Sequence, residues 1–254
     1  MLTELTYVLT KQNKPSRLFE ECRKMNKLDM LFPELKALIG VPQNAEWHQE
    51  GDVWNHTMLV IDEAVYVRDL VSDPMKFMLA ALCHDLGKAV VTEIEDGKTH
   101  AYSHEDAGVP IARQFLKRLD ADDDTIIYVT KMVQLHMKPH RAFENKSHIK
   151  KTNQMFFESP DPYDLIYLAQ CDSAGRVPST GTLEEWAFLV RRATEYMRAM
   201  RMPYVTEEDL TSAGYTYGTE KFTQVNELAH KLRMAMVDKD TAMNQIKGSI
   251  RPQK

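Results

Sequence analysis

Cys83-His84-Asp85-Leu86-Gly87-Lys88 closes an apolar run that begins near Met75, and it sets an imidazole beside a carboxylate where a core would want neither. Burying such a pair is costly unless something binds it, and a nitrogen–oxygen donor set suits divalent ions from magnesium and manganese through zinc. The Gly87-Lys88 step is expected to end the helix and leave a cation nearby, where a phosphate could be held. Two neighbouring donors do not complete a coordination sphere, so the rest of the chain must supply others.

Outward from that stretch the pattern is helical. Apolar residues recur at three and four, and little of the chain alternates with period two. Ser16 to Leu31 reads as one helix with Leu18, Phe19, Cys22 and Met25 inward. Thr57 to Val71 is apolar on most sides, as is Met75 to Leu86, and both read as central helices. Ser103 three residues before Asp106 resembles a capping box for a helix carrying Ala112, Phe115, Leu116 and Leu119. Asp124 is expected to cap the next, which stops at Pro139. Thr182 with Glu185, and Thr206 with Asp209, repeat the capping device. The one strand-like piece, Ala89 to Tyr102, turns at Asp96-Gly97 and reads as a short hairpin. The fold class is therefore all-α, organised as an N-terminal helical extension (1–43), a catalytic helical core (44–202) and a C-terminal helical tail (203–254).

Composition narrows the partners. The 254 residues carry a net charge of -5, which gives no general electrostatic case for nucleic acid or anionic membrane; an RNA substrate would need a local basic patch. Cys22, Cys83 and Cys171 are odd in number and far apart, as free thiols of a reducing compartment are. No stretch has the length of a membrane span or the layout of a leader peptide, so the expectation is a soluble cytoplasmic protein. Oligomeric state is not readable.

Asp172 is the first candidate for a further ligand. It shares a helical face with Leu165, Leu168 and Ala169, where a carboxylate is either salt-bridged or metal-bound. His56 opens an apolar helix, where a lone histidine is more often a hydrogen-bonded core residue. Beside His84 and Asp85 both gain weight, and the four together offer two nitrogens and two oxygens from three helices. His104, His136 and His140 form a second group: a second ion, contacts to substrate phosphate, or packed core histidines remain equally open. His48 is a candidate rim residue. Arg176, four residues after Asp172, either points its guanidinium at a phosphate or pairs with a carboxylate. The 15 methionines sit mostly at helical spacing and read as core filler.

The order His56, His84-Asp85, Asp172 resembles the HD superfamily of metal-dependent phosphohydrolases, whose signature is the adjacent His-Asp pair. The likeness goes further. Trp47-His48-Gln49-Glu50-Gly51-Asp52-Val53-Trp54-Asn55-His56-Thr57, His104-Glu105 and Asp172-Ser173-Ala174-Gly175-Arg176 are similar to the HD region of bacterial tRNA nucleotidyltransferases, the CCA-adding enzymes. The resemblance runs from about Lys14 to Lys247. It departs at the front, where residues 1–43 hold no Gly-Ser motif or paired carboxylates for nucleotidyl transfer, so nucleotide addition is not expected. It departs again at Tyr215-Thr216-Tyr217-Gly218-Thr219, where that family commonly has a Gly-Pro turn.

What the resemblance implies is an HD helical bundle with hydrolase activity on 2′,3′-cyclic nucleotides, nucleoside 2′-phosphates or RNA ends. A divalent ion (magnesium, manganese, cobalt, nickel, iron or zinc) would be held by His56, His84, Asp85 and Asp172. Asp85, Lys88 and Arg176 would act in catalysis, with Asp85 or Asp172 accepting a proton from water. A nucleotidase or triphosphohydrolase on free (deoxy)nucleotides, and a non-catalytic tRNA- or RNA-binding module, are the competing readings.

Overall fold

The computed structural model describes residues 2–252. It is helical almost throughout: α1 (Leu2–Lys11), α2 (Ser16–Lys24), α3 (Leu28–Leu31), α4 (Pro33–Lys36), α5 (Val53–Ala64), α6 (Pro74–Cys83) and α7 (Lys88–Val91) lead to β1 (Glu93–Glu95) and β2 (Lys98–His100). Then follow α8 (His104–Arg118), α9 (Asp123–Leu135), α10 (Lys138–Glu144), α11 (Ile149–Glu158), α12 (Pro162–Ala174), α13 (Leu183–Arg201), α14 (Glu207–Ser212), α15 (Glu220–Met234) and α16 (Lys239–Ser249). The all-α expectation holds, and the two strands form the expected hairpin. Their turn residues Asp96 and Gly97 both have positive φ (49° and 74°), as a two-residue connection between twisted strands requires.

The contacts divide the chain into two compact units, one made of residues 1–141 and 158–187, the other of 142–157 and 188–254. In the first, α6 is the centre. Every residue from Phe77 to Cys83 is wholly buried, and the helix packs on α1, α5, α9 and α12. A helix apolar all round has nowhere else to go. Asp73 starts it by accepting from the backbone N–H groups of Met75 and Lys76, with Pro74 at the first helical position. Asp52 and Asp161 start α5 and α12 in the same way. The α12 start is tied further, because Asp164 accepts hydrogen bonds from the Ser72 backbone N–H and from the hydroxyls of Ser72 and Tyr128.

The second unit has its own small core of Val205, Leu210, Tyr215, Phe222, Val225, Ala229, Ala242 and Ile246. The expected capping box at Thr206 and Asp209 is present in full. Charge separates the units. The second carries 14 basic and 9 acidic side chains, net +5, against 18 and 28, net -10, in the first. The whole-chain figure of -5 averages two opposite bodies.

Several helix boundaries differ from the sequence reading. Ser16–Leu31 is two helices, because Asn26 adopts a left-handed φ of 54° between α2 and α3. The helix expected from Thr57 to Val71 runs from Val53 to Ala64 and gives way to turns. Ser103 does not cap α8: its own φ is 57° and its hydroxyl makes no cap bond. Asp122, not Asp124, caps α9 through the Thr125 N–H. The helix ends at Leu135, ahead of Pro139, which sits in the first turn of α10.

Gly87 does not terminate its helix by a left-handed turn either, since its φ is -66°. Its role is proximity. A Cβ there would stand 2.0 Å from the His104 carbonyl oxygen and 2.6 Å from the Gly108 nitrogen. With no side chain at Gly87, the first turn of α8 lies directly against the turn that follows α6. That contact delivers His104 to Asp85.

Candidate metal centre

Asp85 is the point on which the buried histidines converge. Its side chain is 2% exposed, as is fitting for a residue at the inner end of α6. Oδ2 lies 3.2 Å from His84 Nε2, 3.7 Å from His56 Nε2 and 2.7 Å from Lys88 Nζ. Oδ1 lies 3.2 Å from His104 Nε2 and 3.7 Å from His136 Nε2. Two donor trios thus share one carboxylate, His56–His84–Asp85 and Asp85–His104–His136. Asp172 completes the first group, with Oδ1 3.0 Å from His56 Nε2.

The imidazole tautomers say what this cluster lacks. The Nδ1 atoms of His84, His104 and His136 each lie within 2.8 Å of a backbone carbonyl three residues earlier, Ala81, Ala101 and Val133. A carbonyl only accepts, so each Nδ1 carries a proton; His136, whose pKa burial pushes well down, turns an Nε2 lone pair inward, whereas for His104 burial is outweighed by Asp85, which raises its pKa. His104 Nε2 and His136 Nε2 are 3.2 Å apart. Two imidazole nitrogens this close share a cation, either a proton held on His104 or a bound ion. His84 Nε2 is buried with no hydrogen-bond partner, and of the Asp85 oxygens Oδ1 faces imidazole nitrogens while Oδ2 meets the Lys88 ammonium. A donor set of this kind, nitrogen and carboxylate oxygen, fits a divalent ion on each side of Asp85.

Electrostatics show how strongly the two carboxylates draw positive charge. Burial alone would raise the Asp85 carboxyl, but His84, Lys88 and His104 outweigh it and hold it well below the usual carboxylate range. Asp172 is held down likewise, against its burial, by Arg176, His140 and His56. His136 moves the other way. Burial, together with His104 and His84, pushes its pKa well down, so it stays a neutral donor.

Lys88, Arg176 and His140 complete the surroundings. Arg176 Nη2 is 3.1 Å from Asp172 Oδ2, so the ion pair weighed from the sequence is present, yet the same guanidinium lines the cleft above the cluster. His140 Nε2 is 3.3 Å from Asp172 Oδ2 while its Nδ1 is 2.8 Å from Glu185 Oε1. Burial opposes its charge, but Asp172 and Glu185 raise its pKa to about 9. The helix break expected between His136 and His140 does not separate them from the cluster. Both face it, on the two carboxylates that hold it together.

The cleft has a volume of about 230 Å³ and is bounded by Gln43, Asn44, Trp47, His48, Lys88, His100, His104 and Arg176, among others. Trp47 stands 49% exposed on its rim. Two functional residues escaped the sequence reading. Glu50 Oε1 lies 3.1 Å from His56 Nδ1 and forms a third donor trio with His48 and His56, and Glu185 Oε1 is 2.8 Å from His140 Nδ1. Carboxylates in solvent-facing company carry no sequence signal for such contacts.

Comparison with known proteins is consistent with this geometry. Residues 53–174 match the HD domain family. Among curated relatives, the chain is 32% identical to the multifunctional CCA protein of Actinobacillus pleuropneumoniae serotype 5b over 169 residues, 65% of this chain and 41% of the relative. It is 34% identical to that of Pasteurella multocida over 167 residues, 64% of this chain and 39% of the relative. It is 29% identical to that of Mannheimia succiniciproducens over 232 residues, 89% of this chain and 54% of the relative. The chain spans about half the length, or less, of the curated relatives it matches.

Proposed function

We propose that this chain, whose residues 53–174 match the HD domain family, is a metal-dependent phosphohydrolase that hydrolyses phosphate esters of nucleotides, 2′,3′-cyclic phosphates and 2′-phosphates first among them. The observation that carries it is the pair of donor trios meeting on Asp85 beneath an open, cationic cleft. His56, His84, Asp85 and Asp172 would hold one divalent ion, and Asp85, His104 and His136 a second, with His140 steadying Asp172. Bound there, divalent ions supply charge that polarises a phosphoryl oxygen and makes water a competent nucleophile near neutral pH.

The chain's own groups do the rest. Lys88 Nζ, bonded to Asp85 Oδ2 and to Gln43 Oε1, stands at the cleft floor as a fixed cation. With Arg176 it neutralises charge developing on the phosphoryl oxygens. Asp85 and Asp172, held far below the ordinary carboxylate range, act as ligands and not as proton acceptors. Gln43, Asn44 and Trp47 at the rim give a nucleobase hydrogen-bonding edges and a flat face.

The experiment is a panel of 2′,3′-cyclic AMP, 2′-AMP, 3′-AMP and a deoxynucleoside triphosphate. It is run on metal-stripped protein reloaded in turn with magnesium, manganese, cobalt, nickel, iron and zinc, with Asp85→Ala alongside. Metal-dependent turnover of the cyclic diester or 2′-phosphate, lost in the variant, is the expected result. Turnover confined to the triphosphate would replace the substrate assignment. No turnover, with salt-sensitive RNA binding, would replace the enzyme by a binding module.

A further inference from the structure

Three of the converging histidines are oriented by backbone, and His56 is not. His84, His104 and His136 spend Nδ1 on carbonyls of their own helical turns. His56 turns Nδ1 instead toward Glu50, whose Oε1 lies 3.1 Å away. Glu50 belongs to the loop before α5 and its side chain is 3% exposed. The same Oε1 is 2.7 Å from His48 Nδ1, and the other oxygen accepts the Val177 backbone N–H at 2.9 Å. Gln49 N–H returns a bond to the Val177 carbonyl at 2.8 Å. One buried carboxylate therefore gathers two imidazoles and the backbone next to Arg176.

We propose that Glu50 is a positioning residue that fixes both histidines in the Nδ1–H tautomer, aiming His56 Nε2 at the ion site and His48 Nε2 into the cleft. The inference rests on the phosphohydrolase reading of the site and deepens it. Glu50 has no proton to give, so it can only accept: His48 Nδ1 donates to it, and His56 Nδ1, 3.1 Å away and without another hydrogen-bond partner, is the nitrogen left to face it. His56 Nε2 lies 3.0 Å from Asp172 Oδ1, within hydrogen-bond reach, and 3.7 Å from Asp85 Oδ2, so an ion between the two carboxylates would take the place of the Nε2 proton and leave the ring protonated toward Glu50. The Nε2 lone pair of His48 is left to a cleft that also holds Arg176 and Lys88, where it can accept from a hydroxyl beside the bound phosphate. His48, Glu50 and His56 together have the makings of an ion site of their own. His56 would then have to ligate through both nitrogens at once, and a positioning role needs no such arrangement.

Glu50→Gln is the discriminating change, because it keeps the size and removes one of the two acceptor oxygens. An amide can meet the imidazole donors or the Val177 N–H, not both. Nickel and manganese affinities are read by competition with a chromophoric chelator, together with ion count at saturation, KM and kcat on 2′,3′-cyclic AMP, and melting of the metal-free protein. The expected result is affinity at one of two ions weakened about 10- to 100-fold with the count at saturation retained. His48→Ala is expected to raise KM and leave ion affinity unchanged.

Ion affinity unchanged in Glu50→Gln, with only the melting temperature lowered, would reduce Glu50 to a structural strut. Loss of a whole ion at saturation would make it a ligand instead. Should the variant fail to fold, nitrogen-15 NMR of zinc-loaded wild type decides. His56 is expected to be protonated at Nδ1, and a proton on Nε2 would overturn the inference. If the wild type binds no divalent ion, the phosphohydrolase reading fails, and the His48 tautomer in the metal-free protein, expected to be protonated at Nδ1 in the wild type and not fixed there in Glu50→Gln, still tests Glu50.

Discussion

Gly87→Ala adds a single methyl group, and the structure says where it must go. The new Cβ would lie 2.0 Å from the His104 carbonyl oxygen, 2.9 Å from its carbon and 2.6 Å from the Gly108 nitrogen. A carbon approaches an oxygen comfortably at roughly 3.3 Å, so about 1.3 Å of separation has to be found. All three atoms belong to the backbone of α8, and none can rotate aside. Either α8 slides outward along its packing on α9, or the turn after α6 opens. Overpacking of this kind costs roughly 1–3 kcal/mol. Moving His104 by about 1 Å from Asp85 also costs on the order of 100-fold in rate.

Urea denaturation of the metal-free protein reads the first effect, and ion count with cyclic-phosphate hydrolysis reads the second. Gly248→Ala is the control, since nothing lies within 4 Å of its Cβ in α16. It is expected to be neutral or to gain up to about 1 kcal/mol. Gly87→Ala within about 0.5 kcal/mol of wild type, with its ions intact, would refute the proximity argument.

Four further outcomes follow from single contacts. Tyr128→Phe removes a donor from buried Asp164 and is expected to cost about 1–3 kcal/mol in urea denaturation; a neutral result would mean the network is not needed. Lys88→Ala is expected to lower kcat on 2′,3′-cyclic AMP on the order of 100-fold and to lower the melting temperature of the metal-free protein, whose buried Asp85 loses a partner; an unchanged kcat would remove Lys88 from the chemistry. Trp47→Ala is expected to raise KM, as loss of a stacking face worth about 1–3 kcal/mol does, with kcat nearly constant; equal KM would leave the base unrecognised at the rim. Asp209 is held at about 2 by Lys239 and by Thr206, a depressed value, so its contribution is present above the ordinary carboxylate pKa of about 4 and lost as pH falls toward 2. Between those pH values wild type is expected to lose stability relative to Asp209→Asn by circular dichroism, and parallel curves would show that the pairing contributes nothing.

Some of this was legible in the chain and some was not, for physical reasons. Helix starts set by Thr206 with Asp209, and the hairpin set by Asp96-Gly97, depend on residues within four positions of one another, and they stand as read. Ser103 shows the limit of local reading. It has the right side chain at the right spacing, but its left-handed backbone, required where β2 hands over to α8, points the hydroxyl away from the orphan N–H groups. Gly87 carried a true signal with the wrong explanation, because close approach between segments 17 residues apart (Gly87 to His104) has no local pattern. The four residues His56, His84, Asp85 and Asp172 do meet, as their chemistry suggested.

His104, His136 and His140 could not be sorted from sequence, since three roles predict the same residue types. Their protonation, set by carbonyls at Ala101 and Val133 and, for His140, by the carboxylates of Asp172 and Glu185, separates them only once the fold is known. Glu50 is the clearest omission. It stands in a quoted stretch, two residues from His48 and six from His56, and only the closed loop reveals that its carboxylate serves both.

If Asp85 is shared by two divalent ions, the number bound per chain depends on it and on His136. Wild type, His136→Ala and Asp85→Ala, each saturated with manganese and passed through a desalting column, would be assayed for metal per chain by mass spectrometry. The account expects two ions in wild type, one in His136→Ala and none firmly held in Asp85→Ala. A full complement in Asp85→Ala, or two ions in wild type unaffected by either change, would contradict it.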